Sequence, residues 1–439
     1  MLSDHIAQRA NSSRPTCEKA RAGRTASRAA SIRRRRAGAR RRCARLAVAL
    51  AAALLVLPLA ACSQAATDAG SHAAPSGSAS RVQADYRDTD LGCGWTPEEM
   101  VALSYARNFT IDRYAGGYQL ICVSNGDRFL VVPEGADAPA GLAEDIAVIQ
   151  QPLDSVYLVS TGMACLLDSI GAIDAVTVSS VTADESPVAA LAEALSAGTA
   201  AFGGTYSSPD FELVADRRCT LAIENTKINH APEAKQKLED LGVAVLTEQS
   251  SSEPEVLGRL EWIKLMGALF GREAEAQRRF EAIAERVEDV SSQEALDATV
   301  AFFYINDDGA AVTRRSSDYF SQMVELAGGT FMSFDPVDED AASSSVQSVV
   351  DMETFYARAK DADVIIYNTT VDAGVATIDD LVAKNPLLSD FKAVQDGNVY
   401  ACDEHMYQRM TEMDQIISDI RAALEGTGDS SGFIWKLDR

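Results

Sequence analysis

Apolar positions along the chain change their spacing several times, and each change marks an element. Residues 109–113, 118–123 and 128–132 are short runs rich in β-branched and aromatic side chains, and they read as strands. Gly116-Gly117 and Asn125-Gly126-Asp127 supply the turns between them. From Ser155 a strand–helix rhythm takes over. It predicts strands at 155–159, 176–179, 220–223 and 243–247. Helices are predicted at 162–170, stopped by Gly171, at 187–195, from Pro209 to Ala215, and at 232–241, closed by Gly242. A long helical region follows at 255–291, with apolar residues Leu257, Leu260, Ile263 and Leu265, then Phe280, Ile283 and Val287, interrupted at Gly271. The rhythm then restarts. Strands are predicted at 299–305, 311–313, 364–367 and 399–402, and helices at 317–327, 349–359, 378–383 and 411–424. Strands separated by helices argue for parallel sheets covered on both faces. The expected fold is α/β, with two halves joined by one long helix.

The amino end departs from this pattern. Residues 1–61 hold 14 Lys and Arg against two acids, Asp4 and Glu18. An apolar run from Leu46 to Leu57 follows, then Leu59-Ala60-Ala61-Cys62. This is the order of an export signal: a positive region, an apolar region, small residues at a cleavage site. The apolar stretch has 16 residues up to Ala61, short of the roughly 20 that a spanning helix needs. Cys62 after Leu-Ala-Ala resembles the lipobox of bacterial lipoproteins, which implies lipidation at Cys62. An ordinary signal peptide with an incidental cysteine is the other reading. Residues 63–90 are Ala, Ser, Gly and Asp with few large apolar side chains, a composition that reads as a flexible tether. The expected organisation is a signal peptide at 1–61, a tether at 62–92, an N-terminal lobe at 93–271, a linking helix at 272–292 and a C-terminal lobe at 293–439.

Charge narrows the partners. Of 40 Lys and Arg and 64 Asp and Glu in all, 14 and 2 lie before Cys62, so the rest carries a net charge near −36. Such a surface repels nucleic acid and anionic membranes. Beyond Cys62 the cysteines are Cys93, Cys122, Cys165, Cys219 and Cys402, an odd number without a CxxC pair. A structural zinc site is not expected. Cys165, inside an apolar run, reads as a core thiol.

Two segments carry a family resemblance. One is Glu253-Pro254-Glu255-Val256-Leu257-Gly258-Arg259-Leu260-Glu261-Trp262-Ile263-Lys264, continued by Met266-Gly267-Ala268-Leu269-Phe270-Gly271. The other runs from Tyr319 to Gly329, with its Met-Val-Glu-Leu-Ala-Gly-Gly. Together with Gly171-Ala-Ile-Asp174 and Leu221-Ala-Ile-Glu224 they resemble the binding proteins of iron-siderophore, haem and cobalamin importers over roughly residues 145–425. The resemblance implies two Rossmann-like lobes with central sheets, joined by one long rigid α-helix at 273–291, and a ligand in the groove between them. It implies an extracytoplasmic, monomeric partner of an ABC permease and, through it, of ATPase subunits. The cargo would be an iron complex, siderophore or haem, with cobalamin as the alternative; no cofactor is implied.

Ligands of open α/β sheets sit beyond the carboxyl ends of the strands. Candidate contacts there are Ser160, Thr161, Tyr206, Glu224 and His230 in the first lobe, and Arg314, Tyr319, Asn368, Tyr407 and Gln408 in the second. Ser160 and Thr161 open a helix and suit an anion, or simply cap it. Tyr206 stacks on a ligand or is an exposed loop aromatic. His230 is a contact or a cap. Arg314 offers a fork of donors to a carboxylate or phosphate, or makes a surface ion pair. Tyr407 and Gln408 resemble family positions near the ligand. The resemblance further implies permease docking through Glu233 and Glu353, which also suit helix N-termini.

Other classes find less support. P-loop and HExxH motifs are absent from the chain, and an enzyme is not expected. Beyond Cys62 only His72, His230 and His405 are available, few for a bare zinc or manganese site. A lipoprotein sensor or adhesion module reusing the fold remains the competing reading.

Overall fold

The computed structural model describes residues 85–335, 346–428 and 432–439. Cys62, the export signal and most of the tether lie outside the described residues.

Five strands form a first sheet: β1 (Glu99–Met100), β2 (Phe109–Arg113), β3 (Gln119–Val123), β4 (Arg128–Val132) and β5 (Ile146–Gln150), in that order. β1 to β4 are an antiparallel meander and β5 joins β4 in parallel. Both faces of this sheet are buried. Phe109, Ile111, Ile121 and Val131 face the main core, while Leu120, Cys122, Leu130 and Val132 pack with Leu91 and Tyr114. Double burial removes polar alternation, which is why β3 and β4 read as nearly continuous apolar runs.

The fold begins earlier than its composition suggested. Leu91 is fully buried, Arg87 pairs with the buried Asp112 at 2.5 Å, and Arg128 reaches Asp88 at 3.3 Å. Residues 86–91 are therefore part of the sheet's packing and not tether. Their Asp and Thr content hid one apolar anchor and two ion pairs.

A second sheet is wholly parallel. It comprises β6 (Val156–Leu158), β7 (Val176–Ser179), β8 (Ala201–Phe202), β11 (Leu221–Glu224) and β12 (Ala244–Thr247), in the order β12-β11-β6-β7-β8. A small hairpin, β9 (Gly204–Thr205) with β10 (Ser208–Pro209), follows β8. Helices α1 (Thr161–Ser169), α2 (Ala189–Ala197), α3 (Phe211–Asp216) and α4 (Pro232–Asp240) alternate with the strands. Residues 93–271 thus hold two sheets, not the single lobe expected.

Next comes α5 (Val256–Phe270), buried at every position from Val256 to Leu269. A helix apolar on all sides belongs at the centre of a structure. It contacts β2, α1, α6 (Glu273–Ser291) and α7 (Tyr319–Leu326). Gly271, with φ 63°, ends α5 in the left-handed conformation that glycine adopts freely. α6 is amphipathic, burying Ala276, Phe280, Ile283 and Val287, and it runs from α5 to the third sheet.

That sheet has the order β16-β14-β13-β17-β18-β19. Its strands are β13 (Thr299–Ile305), β14 (Ala311–Arg314), β15 (Thr330–Phe331) beside β13, β16 (Gln347–Val350), β17 (Val364–Tyr367), β18 (Val399–Cys402) and β19 (Ile434–Lys436). The central β13, β17 and β18 are parallel. Its helices include α8 (Met352–Ala359), α9 (Ile378–Lys384), α10 (Lys392–Asp396) and α11 (Met413–Leu424). The helix predicted from residue 349 begins later. Val349 and Val350 are β-branched residues paired with β14, and Asp351 caps α8 through a bond from the Thr354 amide. One continuous apolar cluster takes in Leu158 and Ile223 of the second sheet, Phe302 and Ile366 of the third, and α5 between them.

Candidate functional site

β18 delivers the chain into residues 403–410, a short stretch wedged between the two parallel-sheet lobes. On one side the Cys165 thiol of α1 donates to the Gln408 carbonyl at 3.0 Å. Gly162 of α1 leaves room for Met410: a Cβ there would stand 3.3 Å from its methyl carbon.

On the other side Tyr407 meets three side chains from three parts of the fold. The Arg314 Nη2, at the end of β14, donates to Tyr407 Oη at 2.8 Å. The same guanidinium lies 4.7 Å from the Tyr407 ring centre, a cation–π distance. Asn368, just beyond β17, donates to Tyr407 Oη at 3.3 Å. Tyr319, the first residue of α7, packs edge-on at 5.7 Å between ring centres. Asp318 caps α7 through the Phe320 amide and lies 3.8 Å from Arg314. Burial pushes the Tyr319 phenol up to about 12 and the Tyr407 phenol well above its usual value, so both hydroxyls stay protonated. Burial also raises the Asp318 carboxyl, against the pull of Arg314.

The cluster continues into α5. The Arg259 guanidinium covers the Tyr319 ring at 3.8 Å. Arg259 is buried, and its Nε and Nη1 reach no hydrogen-bond acceptor among the described residues. A buried guanidinium with unanswered donors is costly unless an anion or water completes it.

The strand ends of the second sheet carry different chemistry. Ser160 donates to Glu248 Oε1 at 3.0 Å, and the Ser250 amide donates to Glu248 Oε2 at 2.7 Å. Glu224 ends β11 fully buried, and neither carboxyl oxygen has a partner among the described residues. Desolvation pushes its pKa up to about 8, so it is protonated at neutral pH.

Arg314, Tyr319, Asn368 and Tyr407 therefore converge on one another, and Gln408 adjoins them with a buried, unpartnered Oε1. Ser160 and Glu224 belong to the opposite edge, with Thr161 opening α1. Tyr206 packs against the apolar cluster of Tyr157, Val214 and Leu238. His230 is exposed at the end of the 3-10 turn Thr226–His230. Tyr367, the residue before Asn368, is turned into the opposite core, where its hydroxyl donates to Asp372 at 2.7 Å. Arg259, Asp318 and Glu248 escaped sequence reasoning. A cleft of about 680 Å³ opens beside the wedge, between α1, α6 and residues 408–415, with Arg279, Arg286 and Gln408 in its lining. The five cysteines among the described residues are free thiols. No cluster of three or more His, Cys, Asp or Glu suited to a metal ion occurs among the described residues.

Known proteins match this architecture. Two uncharacterized lipoproteins of Methanocaldococcus jannaschii are similar: one is 26% identical over 330 residues, covering 69% of this chain and 77% of the relative. The other is 23% identical over 347 residues, covering 73% and 81%. The crystal structure of a periplasmic heme binding protein from Pseudomonas aeruginosa superposes with a TM-score of 0.51 at 16% identity, covering 65% of this chain and 98% of that one, a likeness of fold. The family model of periplasmic binding proteins matches residues 155–406, more than half of the chain. That stretch takes in the second sheet, the third sheet but for β19, and the helices between them, and by it this chain belongs to the periplasmic binding protein family, a family of solute-binding proteins.

Proposed function

We propose that the protein is the extracytoplasmic, lipid-anchored solute-binding component of an ABC importer, which captures an anionic iron complex, a haem or a ferric siderophore, and delivers it to the permease. The observation that carries the ligand class is the pair of guanidinium groups, Arg259 and Arg314, brought to Tyr319 and Tyr407 from different elements. Guanidinium forks suit carboxylate-bearing ligands, and aromatic faces suit the planar or aromatic bodies of such complexes. The fold-level likeness to a heme binding protein agrees with this choice.

Titration with haemin, a ferric siderophore and cobalamin, read by intrinsic fluorescence, tests it. An iron complex should bind at or below micromolar concentration. Binding of cobalamin alone would move the cargo to a corrinoid, and failure of all three would overturn the assignment. Delivery has its own test. Glu233 and Glu353 are exposed in the first turns of α4 and α8. Replacing both by Ala should spare ligand affinity and reduce uptake severalfold; normal uptake removes the docking proposal.

A further inference from the structure

The first sheet precedes the family-matched stretch, yet it is bonded to α5 in an unusual way. Five successive backbone N–H groups, at residues 104–108, all donate to side chains of the α5 region. Ser104 reaches both oxygens of Glu261, at 2.9 and 3.0 Å, and Tyr105 and Ala106 reach Oε2 at 2.8 Å each. Arg107 and Asn108 donate to Glu253 at 2.7 and 3.0 Å. Lys264 completes Glu261 at 2.7 Å, and the Trp262 indole completes Glu253 at 2.8 Å. Glu253 and Glu261 are both buried. Buried carboxylates are tolerated only when hydrogen-bonded or paired, and charge-assisted bonds are the strong ones. Gly258 permits the approach: a Cβ there would lie 3.2 Å from the Tyr105 carbonyl.

Other α5 contacts reach α7. Gln322 of α7 accepts from the Val256 amide at 3.1 Å and donates to the Pro254 carbonyl at 2.5 Å. Arg259 covers Tyr319. A continuous set of bonds thus runs from the first sheet, through α5, to the tyrosine–guanidinium cluster.

We propose that Glu253 and Glu261 are positioning residues: by taking the amides of residues 104–108 they fix the register of α5, which holds Arg259 on Tyr319, so the first sheet sets the geometry of the ligand cluster. The part of this that concerns ligand rests on the proposed function; the part that concerns α7 does not.

Amide hydrogen exchange on the full chain decides it. Glu261→Gln removes the charge and turns an amide toward the donors of residues 104–106. Exchange should rise at least tenfold at 104–108 and also at 319–326, in the C-terminal lobe. A role confined to local stability would leave 319–326 as protected as in the unmodified chain, and that result overturns the proposal. If Glu261→Gln does not fold, Glu253→Gln, which spares the Glu261 bonds, reads the same two segments. Affinity for haemin provides a second readout. Glu261→Gln should weaken it about tenfold, and should weaken it no further when Arg259 is already Ala; additive losses count against the coupling. Should haemin not bind the unmodified chain, the ligand class fails while the exchange result stands.

Discussion

The second and third sheets end in opposite chemistry at comparable places. Beyond β17 and β18 the third sheet presents Asn368, Tyr407 and the neighbouring Arg314, each bonded to another. Beyond β11 the second sheet presents Glu224, buried and bonded to nothing among the described residues. The C-terminal edge is a hydrogen-bonded network around a cation. At the N-terminal edge a carboxyl is kept uncharged by desolvation. Neutral Glu224 adds no repulsion against the anionic cargo proposed above. On that proposal, binding strength belongs to the C-terminal lobe and α5.

The largest effect expected from this comparison is at Glu224. The folded chain keeps its proton up to about pH 8, whereas an unfolded glutamate loses it near pH 4.3. Between those values the folded state binds the extra proton, so stability falls as pH rises and levels off above pH 8. The whole span is worth on the order of 5 kcal/mol. Glu224→Gln should abolish that slope, matching the unmodified chain near pH 5 and exceeding it near pH 8. Denaturant unfolding at the two pH values measures it; parallel slopes in both proteins would show that Glu224 is ionised in the fold.

Arg314→Ala comes next. It removes the guanidinium from Tyr407 and leaves the buried Asp318 without its nearest cation. A hydrogen bond to a charged group contributes about 1.5–3 kcal/mol, so affinity for an anionic complex should drop roughly 10- to 100-fold. Lysine at this position keeps the charge but not the fork, and should recover only part of the loss. Unchanged haemin affinity in Arg314→Ala would move the anion site elsewhere.

How much of this was legible differs between the edges for a physical reason. Asn368 and Tyr407 follow parallel strands whose apolar runs are short and sharply bounded, so the strand-end rule finds them, while Arg314 closes the antiparallel β14. Arg259 lies inside a helix apolar on nearly every side, where one arginine reads as the solvent face. The signal was available: Arg259, Glu261 and Lys264 fall within six residues of a stretch too apolar to have a wet face, and charges buried there need partners. The first sheet was harder. Its strands were visible, but burial on both faces erased the alternation that would have shown them as a separate layer. β16 was lost to a similar ambiguity, since two valines before a capping aspartate read as the start of the helix.

The finest distinction concerns Tyr407 itself, which serves Arg314 in two ways: its ring faces the guanidinium and its hydroxyl accepts from Nη2. Tyr407→Phe keeps the first and deletes the second, and also strands the Asn368 amide donor. The loss of stability should be about 2–4 kcal/mol, from one hydrogen bond to a charged group and one neutral bond, while the cation–π contact and Asp318 still hold Arg314. Affinity for haemin should change less than in Arg314→Ala, since the cation remains in place. If Tyr407→Phe instead weakens binding as strongly as Arg314→Ala, the hydroxyl itself contacts the ligand, and Arg314 serves to orient it.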